Sequence, residues 1–138
     1  LAKEFAHKVK ASDYFYCWVG TGEHRWRIVH PRAGNVVPAN AAKAIAIANN
    51  CNVAMAHNHL VGCQMTPDGR HWGLEIGCCV DTERLGYYMY RDTTRPKMKN
   101  GALILHRQGN QFVPELLVDG LTMWRGYGKA RLKARRSR

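Results

Sequence analysis

The strongest constraint on this chain's fold is the segment Pro38-Ala39-Asn40-Ala41-Ala42-Lys43-Ala44-Ile45-Ala46-Ile47-Ala48, set between two short apolar runs. Alanine loses no side-chain entropy in a helix, so the segment has high helix propensity. Pro38 suits a first helical turn, where its missing N–H is not needed, and Asn49-Asn50 after the last apolar residue is a stop signal. The preceding run, Arg25-Trp26-Arg27-Ile28-Val29, alternates and reads as a strand ending at His30-Pro31. The following run, Cys51-Asn52-Val53-Ala54-Met55-Ala56, is bounded by polar residues and reads as a buried strand. Strand, helix, strand in that order implies a crossover, hence two parallel strands with the helix on one sheet face. Small alanine side chains let that helix lie close.

The remainder reads mainly as β-structure. Residues 14–19 are aromatic and β-branched, and Gly20-Thr21-Gly22-Glu23 joins them to the next strand as a hairpin. Thr66-Pro67-Asp68-Gly69 is a turn between strands over 60–65 and 71–76. Residues 86–90 are a further strand candidate. Residues 102–107 and 111–118 flank Gln108-Gly109-Asn110 as a second hairpin, in which Pro114 is expected at an edge or a bulge. The fold class is therefore α/β (α+β), mainly β with one main helix near residues 38–50. One domain over residues 1–120 is expected, followed by a basic tail over 121–138.

Charge separates these two parts. The 138 residues carry a net +11, and seven of those charges lie on Arg125, Lys129, Arg131, Lys133, Arg135, Arg136 and Arg138, leaving +4 on the remainder. A cationic tail favours a polyanion such as nucleic acid, with salt-sensitive affinity; a disordered solubilising tail is the alternative. Trp124 and Tyr127, set among these cations, are the candidates for base stacking, with Trp124, Arg125, Lys129, Arg131, Lys133, Arg135 and Arg136 as nucleic-acid contacts. No apolar run approaches the roughly 18 residues of a membrane-spanning helix, so no membrane partner is expected. The five cysteines, Cys17, Cys51, Cys63, Cys78 and Cys79, form no CxxC and are odd in number, which fits reduced thiols in a cytoplasmic, reducing compartment. A zinc group of Cys63, Cys78, Cys79 and His71 matches no common zinc-module spacing. The chain starts at Leu1 without a secretory signal pattern, and is expected to be a piece of a longer product.

The sharpest chemical feature is His57-Asn58-His59 at the end of the second parallel strand. In extended backbone, residues i and i+2 point to one side. Two imidazoles so placed, with His30 ending the neighbouring strand, can converge on one volume and suit a divalent ion such as Zn, Mn, Fe or Ni. The bland alternative is three polar residues on a sheet rim. Glu75, a lone acid within a strand, reads as an ordinary paired or solvated residue.

The ordered series His30-Pro31-Arg32, the Ala-rich helix and Ala56-His57-Asn58-His59 resembles the C-terminal half of calcineurin-like metallophosphoesterases, especially a bacteriophage-type branch. That family places a lone His after a strand, then a helix, then a strand ending in Gly-His-x-His. The turn at Asp68-Gly69, Glu75-Ile76-Gly77-Cys78-Cys79-Val80-Asp81, Gly86-Tyr87-Tyr88 and the later strand pair continue the likeness over residues 14–118. A second likeness, to JAMM-type proteins, rests on Ile28-Val29-His30-Pro31-Arg32 and the same HxH. It lacks that family's Pro after the second His, and Asp68 lies too close.

The first resemblance implies half of an αββα sandwich and a two-metal centre at the sheet ends. His30 and His57 would then ligate one metal and His59 the other, with Arg32 and Asn58 as substrate contacts. It also implies hydrolysis of a phosphate ester, plausible substrates being nucleic acid or nucleotides, in a phage-infected bacterial host. The family's Asp-x-His, Gly-Asp-x-x-Asp and Gly-Asn-His-Asp/Glu motifs are missing, as is the bridging carboxylate. Two divalent metal ions are therefore expected only if an N-terminal half or another chain supplies the remaining ligands. The competing expectation is a non-catalytic nucleic-acid-binding or assembly component built on a remnant of that fold.

Overall fold

The computed structural model describes residues 15–32, 34–80, 98–119 and 121–125, the last four of these by backbone alone. Two sheets and one helix make three layers. The larger sheet contains β1 (Tyr16–Val19), β2 (Trp26–Val29), β3 (Asn52–Met55), β4 (Val61–Met65) and β5 (Trp72–Ile76), in the order β1-β2-β3-β5-β4. A short 3₁₀ turn, Gly22–His24, joins β1 to β2 as an antiparallel hairpin. The helix α1 (Asn40–Asn49) then carries the chain across to β3, which runs parallel to β2. β5 is also parallel to β3, while β4 closes the edge antiparallel to β5. The protein is thus mixed α/β, mainly strands with one helix.

Two clusters, one on each face of this sheet, hold the layers together. On the helix face, Ala42 and Ala46 pack against Cys51, Val53 and Met55 with no solvent exposure. On the other face, Trp26, Ala54 and Leu74 meet Leu103, Leu105 and Phe112 of a second sheet. That sheet is β6 (Gly101–Gln108), β7 (Gln111–Val118) and β8 (Leu121–Arg125), all antiparallel. The Trp26 indole N–H donates to the Phe112 carbonyl at 3.2 Å, which satisfies the one polar atom of a buried anchor.

Glycine decides how closely α1 approaches. A Cβ on Gly73 would stand 2.3 Å from the Lys43 amide nitrogen, and one on Gly62 would stand 2.7 Å from Pro38 Cβ. The helix backbone therefore rests directly on β5, and the Pro38-Ala39 segment that leads into it rests on β4.

One sequence expectation needs correction. Pro114 lies in the central strand of the second sheet, not at an edge. Counted out from the two-residue turn at Gly109-Asn110, its pair with Leu105 is a non-hydrogen-bonded one, so its missing N–H costs the β6–β7 ladder nothing. The register break falls nearby, between Leu116 and Leu117, on the β8 side. Residues 121–125, including Trp124 and Arg125, form β8, so the second sheet continues past residue 120. The one helix expected near residues 38–50 is found at Asn40–Asn49, with Ala39 in the left-handed region (φ 60°) before it. The strand expected over 86–90, and Lys129, Arg131, Lys133, Arg135 and Arg136, lie outside the described residues. Among the described residues, no helix is long and apolar enough to cross a membrane.

Candidate metal centre

β2 and β3 end side by side, Val29 paired with Met55, so the residues that follow them share one corner of the sheet. This is the carboxyl edge of the parallel strands, where open α/β sheets place their ligands. The His30 and His57 rings meet there edge to face, centroids 5.1 Å apart and planes at 84°. His30 is exposed and His57 half-buried.

His59 behaves differently. The period-2 rule needs extended backbone, but β3 stops at Met55 and the chain bends through His57-Asn58. His59 itself is left-handed (φ 60°), and its Nδ1 lies 3.3 Å from Met98 Sδ. The expected convergence of three imidazoles is thus met by His30 and His57, while His59 turns onto the chain segment that precedes β6. Among the described residues, no group of three or more His, Cys, Asp or Glu side chains is placed to hold a metal ion.

The corner is built on Glu75 of β5, which is buried and in no ion pair among the described residues. It is fully buried, opposite Met55 in the ladder. Its Oε2 accepts from the Ala39 backbone N–H at 2.8 Å, which anchors the start of α1 to the sheet. Burial pushes its pKa up, against the opposing pull of the Ala39 and Asn58 amides and of His57. Its Oε1 meets no donor at hydrogen-bonding geometry among the described residues. The signal in the sequence was a lone acid inside the apolar run Trp72-Gly73-Leu74-Glu75-Ile76.

Asn58, expected as a substrate contact, is a latch. Its Nδ2 donates to the Asn35 carbonyl at 2.8 Å and holds the 34–37 loop against the end of β3. A Cβ on Gly34 would overlap the Asn58 carboxamide, so a side chain there would turn the latch aside. Arg32, the other expected substrate contact, extends over the Phe15 ring at 5.6 Å.

The cysteine group does not assemble. All five thiols are free. Cys63 is packed in the core between the sheets, where burial pushes its pKa up to about 12. The His71 Nε2 pairs with the Asn50 Oδ1 at 3.0 Å, in the turn at the far end of the sheet.

Does the corner fit a metal? With metal–nitrogen bonds of about 2.1 Å, two imidazoles on one tetrahedral ion hold their centroids roughly 5 Å apart. The observed separation matches that, and it is also a favourable edge-to-face contact for the metal-free rings. Two imidazoles are donors of the type a borderline divalent ion takes, and a complete site would need further ligands beside them. Comparison with protein-family models, curated proteins and solved structures finds no match to this chain.

Proposed function

We propose that this chain is one part of a metal-dependent phosphoesterase, with His30 and His57 as two ligands of one divalent ion. The observation that carries the reading is the meeting of these two rings at the ends of adjacent parallel strands, at a separation that suits a shared ion. The order of the elements around them, helix over a five-stranded sheet over a second sheet, is compatible with half of an αββα sandwich.

In this reading His30 and His57 bind as neutral imidazoles, leaving the metal's charge available to an anionic phosphate. His59 would reach a second ion only by leaving Met98. Glu75 is a positioning residue, since it ties the start of α1 to β5 beneath the His57-Asn58 bend. The missing carboxylate and the other ligands would come from a completing segment or chain. A bound metal pair supplies charge neutralisation of the phosphoryl oxygens and a water of lowered pKa. The free thiols accord with a reducing compartment.

Metal titration by calorimetry tests the first step. Wild type is expected to bind Zn or Mn, and His30→Ala and His57→Ala each to lose at least tenfold in affinity, with the exposed His24→Ala unchanged. Hydrolysis of bis(p-nitrophenyl) phosphate, after addition of the completing segment, tests the second. Equal metal binding in wild type and both variants removes the metal assignment and leaves the non-catalytic nucleic-acid-binding reading.

A further inference from the structure

The helix covers only part of its sheet face. α1 packs on β3, β4 and β5, whereas the same face of β1 and β2 carries Tyr16, Trp18 and Arg27, with Arg25 just before β2. Their common side follows from register: Val29 packs beneath α1, Tyr16 is its partner, and Trp18 is paired with Arg27. Arg25 is two residues before Arg27 and shares its side.

These side chains interleave. The Arg25 guanidinium stands 4.4 Å from the centre of the Trp18 ring and that of Arg27 stands 4.0 Å from the Tyr16 ring. Tyr16 and Trp18 meet edge to face at 5.8 Å. Trp18 is 42% exposed, a high value for the largest apolar side chain. None of Arg25, Arg27 or Arg32 is in an ion pair among the described residues, although Arg27 donates to the Asn49 side-chain oxygen.

We propose that this aromatic–arginine stripe is a stacking platform for single-stranded nucleic acid that leads to the His30–His57 corner. The chemistry asks for a ligand that is both anionic and flat. Guanidinium planes and aromatic rings accept unpaired bases on their faces, while the cations meet the phosphates. An apolar protein partner would have no use for three guanidinia that lack carboxylate partners among the described residues, and a duplex hides its base faces. Trp18, the more exposed of the two aromatics, offers the surface for an unpaired base, with the guanidinia beside it placed to meet the phosphates. Direction comes from the ladder: Tyr16 stands beside Val29, whose next residue is His30, and Arg32 extends the cationic line over Phe15. The inference rests on the phosphoesterase reading only in taking the strand as the phosphate ester delivered to that corner; the binding itself does not.

Fluorescence anisotropy with fluorescein-labelled oligothymidylate, on the full chain in excess chelator, separates the two. Trp18→Ala is expected to weaken binding at least roughly fivefold, while Trp18→Phe retains most of it. Arg25→Ala, at an exposed position outside any strand, is expected to weaken binding and flatten its salt dependence. Arg27→Lys should bind more weakly than wild type because the charge stays and the planar stack goes. Thermal melting confirms the fold of each variant, and Arg25→Ala carries the test if Trp18→Ala is unstable. Trp18→Ala and Arg25→Ala both within twofold of wild type, or a duplex bound as tightly as the single strand, overturns the platform. If both bind normally while His57→Ala loses metal, the platform fails and the phosphoesterase reading stands. Weakened binding in both, with metal affinity unchanged in His57→Ala, supports the platform and removes the metal assignment.

Discussion

Gly73→Ala tests the packing on which the whole corner depends. The new methyl would stand 2.3 Å from the Lys43 nitrogen and 2.6 Å from Ala42 C and Lys43 Cα. All three are backbone atoms of a helix, so no side chain can rotate aside. Contacts under 3.0 Å are essentially never seen for a real Cβ, so α1 must lift by at least about 0.7 Å. Lifting it opens the Ala42 and Ala46 contacts with Val53 and Met55, in a core whose packing leaves few gaps to absorb the shift. It also stretches the 2.8 Å bond between Ala39 and Glu75. Overpacking with a mobile neighbour costs about 1–3 kcal/mol; here the obstacle is rigid, so the cost is expected at or above the upper end, about 3 kcal/mol. That is a large share of the roughly 5–15 kcal/mol that holds a domain of this kind together. At roughly 3–5 °C per kcal/mol for a chain this size, the melting midpoint should fall by about 10 °C or more. Circular dichroism melts and urea titration measure it. Gly22→Ala is the control: nothing lies within 4 Å of its added Cβ, and only the positive φ of 66° opposes it, worth about 1–2 kcal/mol. A Gly73→Ala melt within a degree or two of wild type would refute the close approach of α1 to β5.

Glu75→Gln keeps an acceptor for the Ala39 N–H and removes the charge. Because burial raises the folded-state pKa of Glu75 above its unfolded value, its contribution is fully present below the ordinary glutamate value of about 4.3 and is lost as pH rises through the raised one. The Gln variant should therefore gain on wild type between mildly acidic and neutral pH, as read from urea midpoints; a constant difference across that range would contradict the buried carboxyl. Saturating Zn or Mn at about a hundred times its Kd should stabilise wild type by about 2.7 kcal/mol, and this increment should vanish in His57→Ala. In native protein, a thiol reagent such as dithionitrobenzoate should label Cys17 and Cys79, both exposed, well before Cys51 beneath α1 and Cys63 between the sheets, and order-of-magnitude equal rates would argue against the packing on the two faces of the larger sheet.

Much of the architecture was legible because it depends on local patterns. The Ala-rich segment between two apolar runs predicted the crossover, and β2, α1 and β3 follow it with β2 parallel to β3. Turn chemistry located both later hairpins, the second closed by Gly109 at a positive φ of 60°. Pro114 departs from expectation because a proline rule that treats every central position alike ignores alternation: half the residues in a ladder direct their N–H away from a given neighbour. At the corner, strand spacing correctly joined His30 to His57. It failed for His59, because period 2 ends where the strand ends, and that end is set by how far β3 pairs with β2 and β5.

The amino-acid order alone determined the period of each element, the helical crossover that makes β2 and β3 parallel, and thus which two histidines share an edge, since propensity and chain connectivity act between near neighbours. Which residues stand beneath that edge was decided only by tertiary packing. Glu75 reaches Ala39 across 36 positions of sequence, Met98 reaches His59 across 39, and the arginines lie on aromatic rings because α1 leaves that half of the sheet uncovered. Such contacts depend on the distance between layers, which Gly73 under the helix and Gly62 under its lead-in set, and no periodicity within a single segment encodes it.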